Sequence, residues 1–268
     1  MKYKLFISDY DGTLGVAPKN NIDHETLDAI NKFIAKGGVF VVCSGRETTS
    51  ITRILKEQNL KGVVVSFQGA KISEIESGKV ILDAGLTMEK ALEVLDACEK
   101  YCLTPVHYGE EDFCYPEFNP YVDYYTKAVR LKGRIADVKE EIKRAGKNVL
   151  KIGWLGPDDV VNCAANELNQ IFKGNGVLFN SGAPCLLEAI NPEYGKGNAV
   201  RFLSKYYGVP FEKIITVGDS TNDIGLVRGE WHGVAVGDAK EELKAVAKEI
   251  AVPFAQKPVK YLLEKYCL

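Results

Sequence analysis

Two acidic clusters in this chain have residue types and spacing suited to chemistry. One is Asp9-Tyr10-Asp11-Gly12-Thr13-Leu14, the other Gly218-Asp219-Ser220-Thr221-Asn222-Asp223. Each follows a short apolar run, Lys4 to Ser8 and Ile214 to Val217 respectively. Both therefore fall just past the carboxyl end of an expected strand, where open α/β sheets place their ligands. Side chains two apart in an extended segment point the same way, so Asp9 and Asp11 can meet at one site. Gly12 permits a tight turn there, with Thr13 behind it. Each cluster alone has an ordinary explanation: Asp-x-Asp recurs in solvated turns, and Asp219 and Asp223 could be a helix cap and a first-turn acid. The capping explanation covers one cluster but not both. Acids on two neighbouring strand ends make a hard-oxygen site, and Mg2+ fits best, because it takes one or two carboxylates, keeps several waters and bridges to phosphate oxygens.

Two further segments add to the pattern. Ser44-Gly45 closes the run Val39-Phe40-Val41-Val42-Cys43 and precedes an expected helix, so its hydroxyl and the nearby amides could hold a phosphoryl group; a plain helix cap is the alternative. Lys196, in Tyr194-Gly195-Lys196-Gly197-Asn198, stands at a helix start, where the dipole disfavours a cation, so a functional reason for it is expected. Cys98, Cys102 and His107 form a metal cluster on paper, but the same spacing is the core side of an amphipathic helix, and that reading is preferred.

The elements that must position these residues follow from periodicity. Leu27, Ile30, Phe33 and Ile34 recur at helical spacing after an Asp23 cap and before Gly37-Gly38, which predicts a strand-helix-strand unit. A second unit runs through Ile51, Ile54 and Leu55 to Gly62-Val63-Val64-Val65, followed by a hairpin from Lys71 to Leu82 turning near Ser77-Gly78. The alternation resumes with a helix over Gly197 to Tyr206, strands at 214–217 and 233–236, and a last helix over 256–265. This predicts an α/β fold with a doubly wound, Rossmann-like parallel sheet. The stretch between differs, with mixed strands and helices and the aromatic segment Phe113 to Tyr121. It is expected to be an inserted α+β domain over 84–187, leaving 1–83 and 188–268 as the core.

A chain of 268 residues, 46% hydrophobic and 26% charged, can bury a sizeable core. Its formal charge of -2 gives no electrostatic reason to expect nucleic acid or an anionic membrane, which leaves a small molecule as the expected partner. The residues after Met1 do not form a secretory apolar region, and a soluble, cytoplasmic protein is expected. The seven cysteines are scattered and odd in number, as reduced thiols would be. Oligomeric state is not readable from the sequence.

In their order along the chain, Asp-Tyr-Asp-Gly-Thr-Leu, Ser-Gly-Arg, Gly-Lys-Gly and Gly-Asp-Ser-Thr-Asn-Asp closely resemble the four motifs of the haloacid dehalogenase superfamily. The insert falls between the second and third motifs and is similar in size to the type IIB cap of the Cof-like sugar-phosphatase branch. Two departures bear on the subfamily. Gln68-Gly69-Ala70 stands where that branch often has Asn-Gly-Ala, and the approach to Lys196 is compressed, with Pro192 only four residues before it, in a Gly-Lys-Gly form that resembles the sucrose-phosphatase and mannosylglycerate-phosphatase relatives. The resemblance implies a magnesium-dependent phosphatase in which Asp9 is the nucleophile and Asp11 the proton shuttle. Magnesium would lie on the Asp9 carboxylate, the Asp11 carbonyl, Asp219 and Asp223. Gly12, Thr13, Ser44, Gly45, Lys196 and Asn222 would surround the phosphoryl group or support its loop, and Arg46 would reach the phosphate or form a structural salt bridge. Within the insert, His107, Tyr115, Phe118, Tyr121 and Arg130 are candidates for substrate contact. A phosphomannomutase-like phosphotransferase and a catalytically silent binding protein on the same scaffold remain alternatives; a phosphorylated signalling receiver, about half as long and without an insert, ranks below both.

Overall fold

The computed structural model describes residues 1–15, 21–109, 112–129, 132–146 and 148–268. The chain begins with β1 (Leu5–Asp9), α1 (His24–Ala35), β2 (Val39–Cys43), α2 (Thr48–Glu57), β3 (Val63–Ser66), β4 (Lys71–Glu74) and β5 (Val80–Asp83). It continues through α3 (Met88–Cys98), β6 (Thr104–Tyr108), β7 (Asp112–Tyr115), α4 (Pro120–Val129), β8 (Lys132–Ile135), α5 (Val138–Ala145), β9 (Ile152–Leu155), α6 (Asp158–Ile171), β10 (Leu178–Ala183) and β11 (Leu186–Ile190). It ends with α7 (Lys196–Tyr207), β12 (Ile214–Gly218), α8 (Ile224–Val227), β13 (His232–Ala235), α9 (Glu241–Lys244), β14 (Glu249–Ile250) and α10 (Pro258–Tyr266).

Two compact units result, Met1–Leu82 with Tyr194–Leu268, and Asp83–Glu193. The sequence pattern predicts a return to the core at 188. The structure keeps β11 in the second unit because it pairs with β9 and β10 there, so the border falls after Glu193.

The first unit holds a sheet of order β14-β13-β12-β1-β2-β3-β4-β5. β1 pairs in parallel with β12 on one side and β2 on the other, and β4 runs antiparallel to β3. β1 alternates between two faces: Phe6 packs with Phe33 and Phe40 under α1, while Leu5 and Ile7 pack with Ala199, Val200 and Leu203 of α7. A strand buried on both faces needs the unbroken apolar run read from the sequence. Helix α1 starts where Asp23 accepts from the Thr26 amide at 3.1 Å, and Gly37, at φ +83°, turns the chain away after it.

The second unit holds a sheet of order β10-β11-β9-β6-β7-β8, antiparallel except between β7 and β8. The helices α3, α5 and α6 supply Leu95, Ile142 and Leu168 to a core with Ile152, Trp154 and Leu187. An α+β arrangement fits the mixed pattern of the sequence. No helix among the described residues is long and apolar enough to cross a membrane.

Candidate active site

The parallel sheet of the first unit changes direction at β1, because the chain proceeds to β2 on one side and to β12 on the other. A crevice at the carboxyl ends of the strands follows from such a reversal. Asp9 is the last residue of β1, Ser44 follows β2, and Asp219 follows β12. Strand order alone therefore gathers residues separated by 35 to about 210 positions, and the packed sheet fixes them.

Lys196 is the first residue of α7, and its ammonium is almost wholly buried. It donates to Asp9 Oδ1 and to Asp223 Oδ1, each at 2.6 Å. Asp223 is itself fully buried; its other oxygen accepts from the amides of Asp219 and Ser220, both at 3.1 Å. Ser220 and Asp223 form a reciprocal capping box at the turn before α8. The capping role considered for this segment thus exists, but it belongs to Ser220 and Asp223, and Asp219 is left to face Asp9. Thr13 Oγ1 donates to Asp219 Oδ1 at 3.0 Å.

Glycines set the spacing. Gly12 has φ +81°, and a Cβ there would lie 2.5 Å from Asp219 Oδ2. Gly197 approaches the carbonyl of Gly225 so closely that a Cβ would come within 2.5 Å of it, which lets α7 carry Lys196 down to the acids.

One carboxylate oxygen each of Asp9, Asp219 and Asp223 fall within 4.8 Å of one another. Three carboxylates against one ammonium leave two formal negative charges in a site where Asp9 and Asp223 are buried. That surplus and the all-oxygen donor set fit a hard divalent cation such as Mg2+. Burial pushes the Asp9 carboxyl well above the usual range, Lys196 opposes this, and Asp223 adds to it. Burial works against the Lys196 charge, yet Asp9 and Asp223 hold its pKa above the ordinary lysine value. Asp219 is raised by burial and by Asp223. Cys43, buried at the end of β2, has its thiol pushed up to about 12 by burial, so it offers no competing nucleophile at neutral pH.

Asp11 does not join the acids. Its carboxylate is paired with Arg46, whose Nε and a terminal nitrogen donate to the two oxygens at 2.8 and 2.6 Å. The Arg46 guanidinium also lies 5.3 Å from the ring centroid of the buried Tyr10. Ser44 is buried, and its Oγ accepts from the Arg46 amide at 3.1 Å. Gly45 lies beneath the side chain of Gln68, and Asn222 is exposed in the turn after Asp219.

The sequence reading missed the conformation of the loop after β3. Phe67, Gln68 and Gly69 have φ of +50°, +58° and +115° in succession. Left-handed backbone costs a residue other than glycine about 1–2 kcal/mol. The Phe67 amide donates to the Arg46 carbonyl at 3.0 Å and the Gln68 amide to the Ser44 carbonyl at 3.2 Å. The signal available in the sequence was Gln68 preceding Gly69, in a position where asparagine would suit such a turn.

Of the candidates in the second unit, Tyr115 is buried against Phe113, Phe118 is exposed, and Tyr121 and His107 are half-buried; Arg130 lies outside the described residues. Cys98 is buried in the core and Cys102 exposed, and the acid trio above is the metal-suited group among the described residues.

Comparison with known proteins agrees with this architecture. The chain is 25% identical to YxeH of Bacillus subtilis over 254 residues, covering 91% of each. It is 24% identical to an HMP-PP phosphatase of Serratia proteamaculans over 250 residues, covering 93% of this chain and 89% of the other. Among solved structures, the sugar phosphatase BT4131 of subclass IIB superposes with a TM-score of 0.78 at 21% identity, covering 98% of both chains. Residues 6–263 match the haloacid dehalogenase-like hydrolases, and the chain belongs to that family.

Proposed function

We propose that this chain hydrolyses phosphomonoesters of small metabolites, sugar phosphates foremost, through an aspartyl-phosphate on Asp9. The observation that carries the proposal is the buried contact of Lys196 with both Asp9 and Asp223, with Asp219 alongside. Support for the substrate class comes from relatives named as an HMP-PP phosphatase and a sugar phosphatase.

An Asp9 carboxylate oxygen bonds to phosphorus as the bond to the leaving oxygen breaks, and Asp11, in its protonated form, gives that oxygen a proton. Asp11 then takes a proton from water, whose oxygen attacks the phosphorus and releases phosphate and the Asp9 carboxylate. Asp11 therefore has to leave the grip of Arg46 before it can donate. Lys196 keeps the Asp9 carboxylate in place, and the Ser44 hydroxyl, the amide at Gly45 and Asn222 provide dipoles for the equatorial oxygens, where transition-state charge is spread; Gly12, whose amide donates to the Gly15 carbonyl at 2.9 Å, supports the loop. Thr13 fixes Asp219. Magnesium held by Asp9, the Asp11 carbonyl, Asp219 and Asp223 would screen the repulsion between the carboxylate and the anionic phosphate. The inserted unit, as a cap, would select the leaving group.

Phosphate release over a panel of sugar phosphates, nucleotides and cofactor phosphates, with and without Mg2+, tests the proposal. Release that needs Mg2+ and disappears in Asp9→Asn supports it; activity untouched by that substitution overturns it. Transfer of phosphate to a sugar without release would point to a phosphotransferase instead.

A further inference from the structure

We infer that Gln68 is a ligand of the phosphoryl group, its side-chain carboxamide donating to an oxygen held over the Ser44-Gly45 turn. The inference rests on the phosphomonoester reading above and adds a residue to it.

The backbone of the Phe67-Gln68-Gly69 loop is fastened to the turn it faces, through the amides of Phe67 and Gln68 on the carbonyls of Arg46 and Ser44. On its other side the loop meets the segment before Lys196: a Cβ on Gly69 would come within 2.5 Å of the Tyr194 carbonyl and 2.7 Å of Gly195. Gln68 thus stands where the serine turn and the lysine helix meet. Its carboxamide lies directly over Gly45, since a Cβ there would fall 2.5 Å from Gln68 Nε2. Glycine at 45 leaves the space that the amide fills.

The side chain has a conformational cost and no hydrogen bond in return. At φ +58° glycine would avoid the steric penalty that glutamine bears, and asparagine would reduce it. The Gln68 carboxamide makes no hydrogen bond to a described residue and is half-buried beside the expected phosphoryl site. Strain retained at a position with an uncommitted polar group points to use by a ligand. A neutral donor also suits the site: two bonds of the Lys196 ammonium are already committed to Asp9 and Asp223, and dipoles must hold the remaining phosphoryl oxygens.

Gln68→Gly and the isosteric Gln68→Glu test this. The readouts are the thermal midpoint, the affinity of the Mg2+-loaded protein for inorganic phosphate by calorimetry, and kcat/KM for the best phosphomonoester of the panel. Gln68→Gly should keep or raise the thermal midpoint while phosphate affinity and kcat/KM fall about 10- to 100-fold, the scale of one hydrogen bond to a charged group. Gln68→Glu keeps the size and backbone preference but brings a carboxylate to the phosphate, and should fall further. Wild-type phosphate affinity in both variants overturns the inference, as does a loss in Gln68→Gly that only follows a lowered midpoint. Hydrolysis that survives Asp9→Asn overturns the functional reading; unaffected Gln68 variants beside a dead Asp9→Asn overturn this inference alone.

Discussion

Arg46 holds both oxygens of Asp11 in a forked contact at 2.8 and 2.6 Å, while Asp9, two residues earlier, is held by Lys196. Neighbouring acids of one motif are thus directed to different cations. The Asp9 pair is buried, whereas the side chain of Asp11 is 47% exposed. A buried pair fixes a group in place; a half-exposed pair can be exchanged for another partner at small cost. That difference suits a fixed nucleophile beside a proton shuttle that must change partners.

Asp11→Asn should therefore lower kcat by about 10²- to 10⁴-fold, the usual contribution of a general acid-base group, with little change in thermal midpoint. A double-mutant cycle with Arg46→Ala, read by denaturant unfolding, should give a coupling of about 0.2–1 kcal/mol. A coupling several times larger would mean that the pair holds the fold together.

Lys196→Met leaves the buried Asp9 and Asp223 without their shared cation. Loss of about 3–5 kcal/mol of stability is expected by chemical denaturation, the cost of breaking a buried ion pair from one side. Mg2+ should restore part of it, because the same acids are its expected ligands. No recovery with Mg2+ would contradict the assignment of that cluster as a metal site.

Gly12→Ala combines a left-handed φ of +81° with a Cβ placed 2.5 Å from Asp219. The backbone penalty alone is about 1–2 kcal/mol, and the displaced Asp219 should weaken Mg2+ binding as well. Calorimetric titration with Mg2+ checks the second effect, which Gly37→Ala, at a similar φ with open space around it, should not show.

Much of this arrangement was legible in the sequence. Asp9 and Asp219 could be placed because an apolar run ending in acids fixes both the strand and the end at which its carboxylates emerge. Lys196 was marked by its conflict with the helix dipole, and the structure supplies the compensation in two buried carboxylates. Partner choice was not legible: nothing in Ser44-Gly45-Arg46 indicates that Arg46 takes Asp11, since that depends on the crossing of two loops 35 residues apart. The strain at Phe67 and Gln68 was hidden for the same reason, because tertiary hydrogen bonds to Ser44 and Arg46 impose a conformation that neither residue prefers. The second unit ends after Glu193 and not at 187, because β11 pairs with β9 and β10, and the pairing partner of an apolar strand cannot be read from its own residues.

Away from the site, Glu25 contributes to the pH dependence of stability. Lys257 and Lys260 bond to Glu25 and hold its carboxyl down at about 2, from an ordinary value of 4.5. Because the folded value lies below the unfolded one, the contribution is present above about 4.5 and is lost as pH falls towards 2. Glu25→Gln should therefore lower the thermal midpoint slightly at pH 7, with the difference shrinking between pH 4.5 and 2 and in high salt. A difference that grows on acidification would contradict the assignment.

In the proposed reaction Asp9 carries the phosphoryl group. Rapid acid quench during turnover, borohydride reduction and peptide mass spectrometry read it directly, since a phosphorylated aspartate is reduced to homoserine. Homoserine at position 9, appearing only with substrate and absent in Asp9→Asn, is the result expected. Sustained phosphate release with position 9 unmodified, or with the modification on another residue, would contradict the account.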